Sequence, residues 1–181
     1  MSKYILGRRA QSRSEVLRYS ILLAVTLILV ATLQVSIFSR FRLLGAVPDL
    51  MICTVLCFAY FDGRHTGAIA GIAGGFLIEA IGSTGVILLP LFYLLLGYLT
   101  GHYARTVVPR SYLPYLVYLG LTLILRMGLT LFYACISYRS IDLPLLLIRT
   151  LLPELLVTAI VGCVIYFPMR WICGLMNKRK L

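Results

Sequence analysis

Six apolar segments, separated by short polar or basic stretches, make up most of this chain. They cover about 19–39, 48–61, 66–81, 86–101, 112–137 and 143–171. Apolar runs of this length and density are typical of transmembrane helices rather than of a soluble core. The pattern predicts an all-α, polytopic integral membrane protein with about six transmembrane helices.

The second and third segments are short for a membrane span. The 14 residues of segment 48–61 rise only ~21 Å as a helix, whereas the hydrocarbon layer is ~30 Å thick. They are either two spans that extend into their flanks or a re-entrant hairpin. Within this region Pro48-Asp49 suits the first turn of a helix, and Asp62-Gly63 is typical of a tight turn.

The third segment carries small residues at a regular spacing. Gly67, Gly71 and Gly75 are followed on the same spacing by Glu79. Steps of four residues advance about 400° around a helix, so these residues form one slowly winding face, which Gly82 rejoins. Small residues let another backbone approach closely in lipid. We predict that this face is a groove for a partner or a ligand, although ordinary helix packing would explain the same pattern.

The fourth segment has a similar small-residue face, formed by Gly97 and Gly101. A short Gly82-Ser-Thr-Gly85 connection joins it to the third segment. We expect the two segments to pack against each other as a helical hairpin, with Gly97 and Gly101 at the contact.

Charged residues inside the apolar segments are the main site candidates besides the glycines. Arg126 lies in the fifth segment, and Arg149 and Glu154 lie on either side of Pro153 in the sixth. Such residues are expensive in lipid unless they are paired or in contact with water. We expect Arg126 to pair with Glu154 or Glu79, as a structural ion pair or as part of a ligand site. Arg149 suits a cation that extends to the membrane surface.

The distribution of basic residues predicts the orientation and domain organisation. If both termini are cytoplasmic, the inner segments hold twelve Lys and Arg residues and the outer loops hold three. The positive-inside rule favours this arrangement. The chain then consists of a basic N-terminal segment (1–18), a single six-helix domain (19–171) and a basic tail (172–181). The net charge of +11 resides largely at these ends, so we expect contact with membrane lipid and no nucleic-acid partner.

Catalytic and metal-binding patterns are weak in this sequence. His65 and His102 lie in predicted loops without an accompanying nucleophile. Cys53 and Cys57 are one helical turn apart within a span, and the five cysteines have no metal-ligand spacing with histidine. We expect no enzyme activity, no metal and no cofactor.

The region from about Val47 to Arg105 resembles a known family. It contains Pro48-Asp49-Leu50, a basic turn, the run Gly67…Gly71…Gly75, an acid four residues later, and Gly82-Ser-Thr-Gly85 before a span rich in tyrosine and glycine. This combination is similar to the rod shape-determining protein MreD family. One position departs from the family pattern: Glu79 stands where we would expect aspartate.

The resemblance implies a non-catalytic role in the bacterial cytoplasmic membrane. MreD-like proteins belong to the cell-elongation machinery (the elongasome), which directs peptidoglycan synthesis at the lateral wall. The expected partner is a bitopic MreC-like protein, and through it MreB, RodA and a class-B penicillin-binding protein. The implied fold is similar to the substrate-binding component of energy-coupling-factor transporters. The alternative function is therefore the substrate-specific subunit of such a vitamin or metal importer.

Overall fold

The computed structural model describes residues 13–38, 48–82, 88–106, 111–137 and 151–177, and these are helical almost throughout. The helices are α1 (Arg13–Leu33), α2 (Leu50–Asp62), α3 (Arg64–Gly82), α4 (Leu89–Thr106), α5 (Tyr112–Ser137) and α6 (Leu152–Asn177). A π-helical turn, Gln34–Phe38, continues α1. The described residues contain no strand, so the predicted all-α class is confirmed.

Within the described residues, three helical stretches are long and apolar enough to cross a membrane. They are Leu17–Ser36, Tyr112–Ile136 and Leu152–Gly174. α2 is apolar as well, but it is shorter. Together with a mean hydropathy of +0.97, these stretches indicate a membrane protein.

The short helix α2 is the buried axis of the bundle. Each residue from Met51 to Tyr60 is 0–1% exposed, and α2 packs against α1, α3, α4, α5 and α6. A helix that is apolar on all sides is stable only where it is surrounded on all sides. The other helices of the bundle provide these surroundings for α2.

A single glycine connects α2 to α3. The Gly63 N–H donates to Ala59 O at 3.0 Å and closes α2. Gly63 has φ 96°, a left-handed conformation that side chains disfavour. The predicted tight turn after Asp62 is confirmed, and it sends α3 back along α2.

Helices α3 and α4 form the closest helix pair in the structure, as the glycine spacing predicts. A Cβ atom at Gly97 would collide with the backbone carbonyl of Gly67, and one at Gly101 would collide with the backbone of Arg64. The two backbones are therefore in direct contact. The predicted helical hairpin, with Gly97 and Gly101 at its contact, is confirmed.

Helix α5 is held much more loosely than α3 and α4. Leu113, Val117 and Ile124 are 64–75% exposed, and the packing of α5 is mainly against α6 and α2. One firm attachment lies at Tyr115, whose hydroxyl donates to Gly162 O at 3.1 Å and contacts Cys57 Sγ at 3.5 Å. A second attachment is the ion pair between Arg126 of α5 and Asp49 at the start of α2.

The described part of the sixth predicted segment is helix α6, which begins at Leu152. The predicted segment itself begins near residue 143. Residues 138–150 lie outside the described part of the chain. Pro153 occupies the first turn of α6, where a missing N–H has no consequence.

Candidate polar site at the start of α2

Asp49 is the centre of a buried polar cluster. It is the N-cap of α2, and its Oδ1 accepts a hydrogen bond from the Ile52 N–H at 3.2 Å. Capping of this kind satisfies one of the free N–H groups of a first helical turn. The residue is only 5% exposed, so its carboxylate depends on protein groups for compensation.

Tyr93 and Arg126 supply that compensation from two other helices. The Tyr93 hydroxyl donates to Asp49 Oδ2 at 2.6 Å, and the Tyr93 side chain is fully buried. Arg126 Nε lies 3.4 Å from the same oxygen. The carboxylate of Asp49 thus joins α2 to α4 through a short hydrogen bond and to α5 through an ion pair.

Gln34 and Thr158 complete the capping of α2. Gln34 Oε1 accepts from the Met51 N–H at 3.0 Å, and its Nε2 donates to Asp49 Oδ1 at 3.4 Å. Thr158 Oγ1 accepts from the Asp49 N–H at 3.2 Å. Side chains from α6 and from the π-helical turn after α1 therefore satisfy backbone groups at the start of α2.

A small cavity of about 20 Å³ lies beside the ion pair. Its lining combines charged or hydroxyl groups with apolar side chains, and it comprises Asp49, Leu123, Arg126, Met127, Thr130, Leu151, Glu154, Leu155 and Thr158. We call the polar residues of this region, namely Gln34, Asp49, Tyr93, Arg126, Glu154 and Thr158, the Asp49 cluster. Helices α2, α4, α5 and α6, with the turn after α1, all contribute to it.

The predicted glycine groove is not open in the structure. A Cβ atom at Gly71 would collide with Tyr93 O, one at Gly75 with Pro90 Cα, and one at Gly67 would lie 2.5 Å from Gly97 O. Helix α4 of the same chain covers this part of the face. The prediction of a groove for a partner at these three glycines is therefore wrong, because the chain itself provides the second helix.

Other predicted site residues have different positions. Glu79 is half-buried on α3 and is not part of the cavity lining described above. Gly82 is the last residue of α3, and Arg149 lies outside the described residues. Arg126 forms an ion pair with Asp49, and it also attracts the charge of Glu154. Glu154 lies on the same cavity as Arg126.

Sequence reasoning missed most of the Asp49 cluster. The sequence patterns assign Asp49 to a helix start and to the family resemblance, and they do not single out Gln34, Tyr93 or Thr158. A signal was present, because Gln34 and Asp49 are strongly polar residues at the ends of apolar segments, where a lipid-facing position would be unfavourable. Their mutual proximity was not encoded in any local spacing.

The chemistry available to this site is that of hydrogen bonding and electrostatics. Two carboxylates and one guanidinium line a partly open space whose remaining lining is mostly apolar. No group of three His, Cys, Asp or Glu residues with a geometry for a metal ion is found within the described ranges. The arrangement can fix the relative positions of five chain segments and can hold a small polar ligand.

Comparisons of this chain with protein-family models, with curated proteins and with solved structures gave no match.

Proposed function

We propose that this chain is a non-catalytic membrane subunit of the bacterial rod shape machinery, which binds an MreC-like bitopic protein and helps to organise lateral-wall peptidoglycan synthesis. The proposal starts from the sequence resemblance between residues 47–105 and MreD-like proteins. It is strengthened by the way in which the resembling residues meet in space.

The single observation that supports it best is the convergence of these separate sequence elements on Tyr93. The Tyr93 hydroxyl donates to Asp49 of the Pro-Asp element. The Tyr93 carbonyl is the atom that leaves no room for a side chain at Gly71 of the glycine run. Tyr93 itself belongs to the span rich in tyrosine and glycine. The elements thus form one framework around α2, as expected of a scaffold.

The dimensions of the cavity favour the scaffold over the importer. A volume of about 20 Å³ is close to that of a single water molecule site, whereas pockets for small organic ligands are ~300–1,000 Å³. A vitamin would therefore have to displace α5 or α6 to bind at the Asp49 cluster. A scaffold needs no such movement.

We further propose that all six helices cross the cytoplasmic membrane with both termini in the cytoplasm, in a fold similar to that of energy-coupling-factor substrate components. Helices α3 and α4, of 19 and 18 residues, are each ~27–29 Å long, close to the hydrocarbon thickness. The basic residues at both ends of the chain favour this orientation.

The partner has to dock on a surface other than the Gly67–Gly75 face, because α4 covers that face. Exposed apolar side chains on the outside of the bundle are the available contacts. They include Val25 on α1, Phe76 on α3, Ile124 on α5 and Ile160 on α6, all between 55% and 64% exposed. Each marks a different side of the molecule.

The test is purification of the full-length protein from native membranes in mild detergent, with identification of co-purifying proteins. We expect an MreC-like bitopic protein together with wall-synthesis enzymes. A photo-crosslinking residue placed in turn at Val25, Phe76, Ile124 and Ile160 then identifies the docking side. The same residue at the fully buried Phe58 is the matched negative control.

Two results would contradict the proposal. Recovery of paired ATPases with an integral coupling subunit would establish the importer function. Recovery of the protein alone, from cells in which an MreC-like protein is demonstrably present, would remove the shape-determining role.

A further inference from the structure

Two polar groups at the cavity beside Arg126 lack hydrogen-bond partners within the described ranges: a buried N–H donor of Arg126 and the carboxylate of Glu154. Arg126 Nε is buried, and its hydrogen finds no acceptor of suitable geometry among the described residues, since Asp49 Oδ2 lies 3.4 Å away in ion-pair contact only. A buried donor without a partner costs about 1–3 kcal/mol, and more when it is charged. In native structures such a group usually has a partner, either from the protein or from ordered water.

Glu154 also lines the cavity, and its carboxylate offers hydrogen-bond acceptors. It projects from the first turn of α6 and shares the cavity with Arg126. No hydrogen bond joins its carboxylate to another residue of the described ranges. A carboxylate accepts hydrogen bonds only, and Glu154 is half-buried, so a donor inside the cavity would satisfy its inner side.

The volume of the cavity is sufficient for a single water molecule. A site for one water molecule needs at least ~10–15 Å³ of accessible space and two to four polar partners. The space here is about 20 Å³, and its polar lining includes Arg126, Glu154 and the Thr158 hydroxyl. Most of the lining is apolar, but it also holds the charged Arg126 and Glu154, whereas cavities that stay empty are lined by apolar groups alone.

We propose that the cavity is a binding site for one water molecule, which accepts a hydrogen bond from Arg126 Nε–H and donates to the Glu154 carboxylate. The water extends the Asp49–Arg126 ion pair to α6. Leu123 and Leu155 form part of the apolar lining around it. This inference does not depend on the proposed cellular function, since it concerns only the hydration of the helix bundle.

The structure also provides a reporter for this water, because Met127 lines the cavity. Brief X-ray irradiation converts water in contact with a side chain to hydroxyl radicals, and these oxidise methionine sulfur. The experiment uses the full-length protein in lipid nanodiscs, with mass spectrometry of methionine sulfoxide. Met51, which is 0% exposed and contacts Gly74, is the internal control for a dry position.

We expect rapid oxidation of Met127 in the unaltered protein and slow oxidation of Met51. Glu154→Leu should abolish most of the labelling at Met127, because the water loses its acceptor. Glu154→Gln retains an acceptor and should preserve the labelling. Melting temperature and gel-filtration profile show whether each variant is folded.

A second variant keeps the test informative if Glu154→Leu does not fold. Leu123→Phe fills the cavity while leaving every polar group in place, and it should likewise remove the labelling of Met127. The proposal is overturned if Met127 in the unaltered protein reacts no faster than Met51. It is equally overturned if Met127 reacts at one rate in the unaltered protein, in Glu154→Leu and in Leu123→Phe.

Discussion

The α3–α4 pair and the α5–α6 pair are held together by different kinds of contact. At Gly71 and Gly97 an added Cβ would collide with the backbone of the facing helix. At Gly162 of α6 it would meet side-chain atoms of Leu119 on α5, and Gly120 and Gly128 lie on the exposed face of α5 with nothing within 4 Å. The first pair is joined backbone to backbone. The second pair is joined by side chains, with a cavity between them.

The difference follows from what drives helix association in lipid. Apolar burial contributes little there, because lipid tails are as apolar as leucine side chains, so close packing and hydrogen bonds carry the association. α3 and α4 rely on close packing. α5 relies on Arg126 and Tyr115, which bond to groups on α2 and α6.

The largest effect should come from disrupting the close pair. Gly71→Leu places a branched side chain where Tyr93 O already lies, so α4 has to move away from α3 and from Asp49. We expect loss of the folded protein, visible as aggregation in gel filtration from detergent. Gly128→Leu, at an open position on α5, is the matched control and should elute normally. Equal behaviour of the two variants would refute the contrast between the helix pairs.

The next largest effect should come from the ion pair that anchors α5. Arg126→Met leaves the Asp49 carboxylate buried without its counter-charge, which costs about 3–5 kcal/mol. The double variant Asp49→Asn/Arg126→Met removes both charges and should recover part of this loss. A double-mutant cycle of unfolding free energies in detergent measures the coupling. Additive single effects would mean that the two residues do not interact.

A smaller effect is expected at the hydrogen bond that connects the two regions. Tyr93→Phe removes the hydroxyl that donates to Asp49 and keeps the ring, so we expect a loss of about 1.5–3 kcal/mol, typical of a bond to a charged group. Tyr98→Phe, on the exposed face of the same helix, serves as the control and should be near neutral. A loss at Tyr98 as large as that at Tyr93 would contradict the assignment.

The smallest expected effect is a gain in stability, whereas the preceding variants should lose stability. Gly120→Ala and Gly128→Ala add a methyl group in open space on α5, and alanine is favoured over glycine in helix interiors by up to about 1 kcal/mol. We expect unchanged or slightly raised melting temperatures. Gly97→Ala on α4 is the counterpart that should lower it, because its Cβ would collide with Gly67. Destabilisation by Ala at both α5 positions would show that a partner or a second copy packs there.

Much of the fold could be predicted because its determinants are local. Apolar runs predicted the positions of the described helices, Gly63 marked the turn between α2 and α3, and Pro48-Asp49 marked the start of α2. The spacing of Gly67, Gly71 and Gly75 predicted close packing correctly, but it could not identify the helix that packs there. A small-residue face has the same sequence signature whether its partner lies in the same chain or in another protein.

The sequence by itself determined the membrane class, the helices and the presence of charges that require partners. Only the tertiary structure decided that α2 is the buried axis and that Arg126 forms its ion pair with Asp49. Such pairing depends on how far each helix is shifted and rotated relative to its neighbours. That relative position results from the contacts of all the helices together, with the Gly71–Tyr93 approach positioning α4 and the Asp49 cluster positioning α5 and α6.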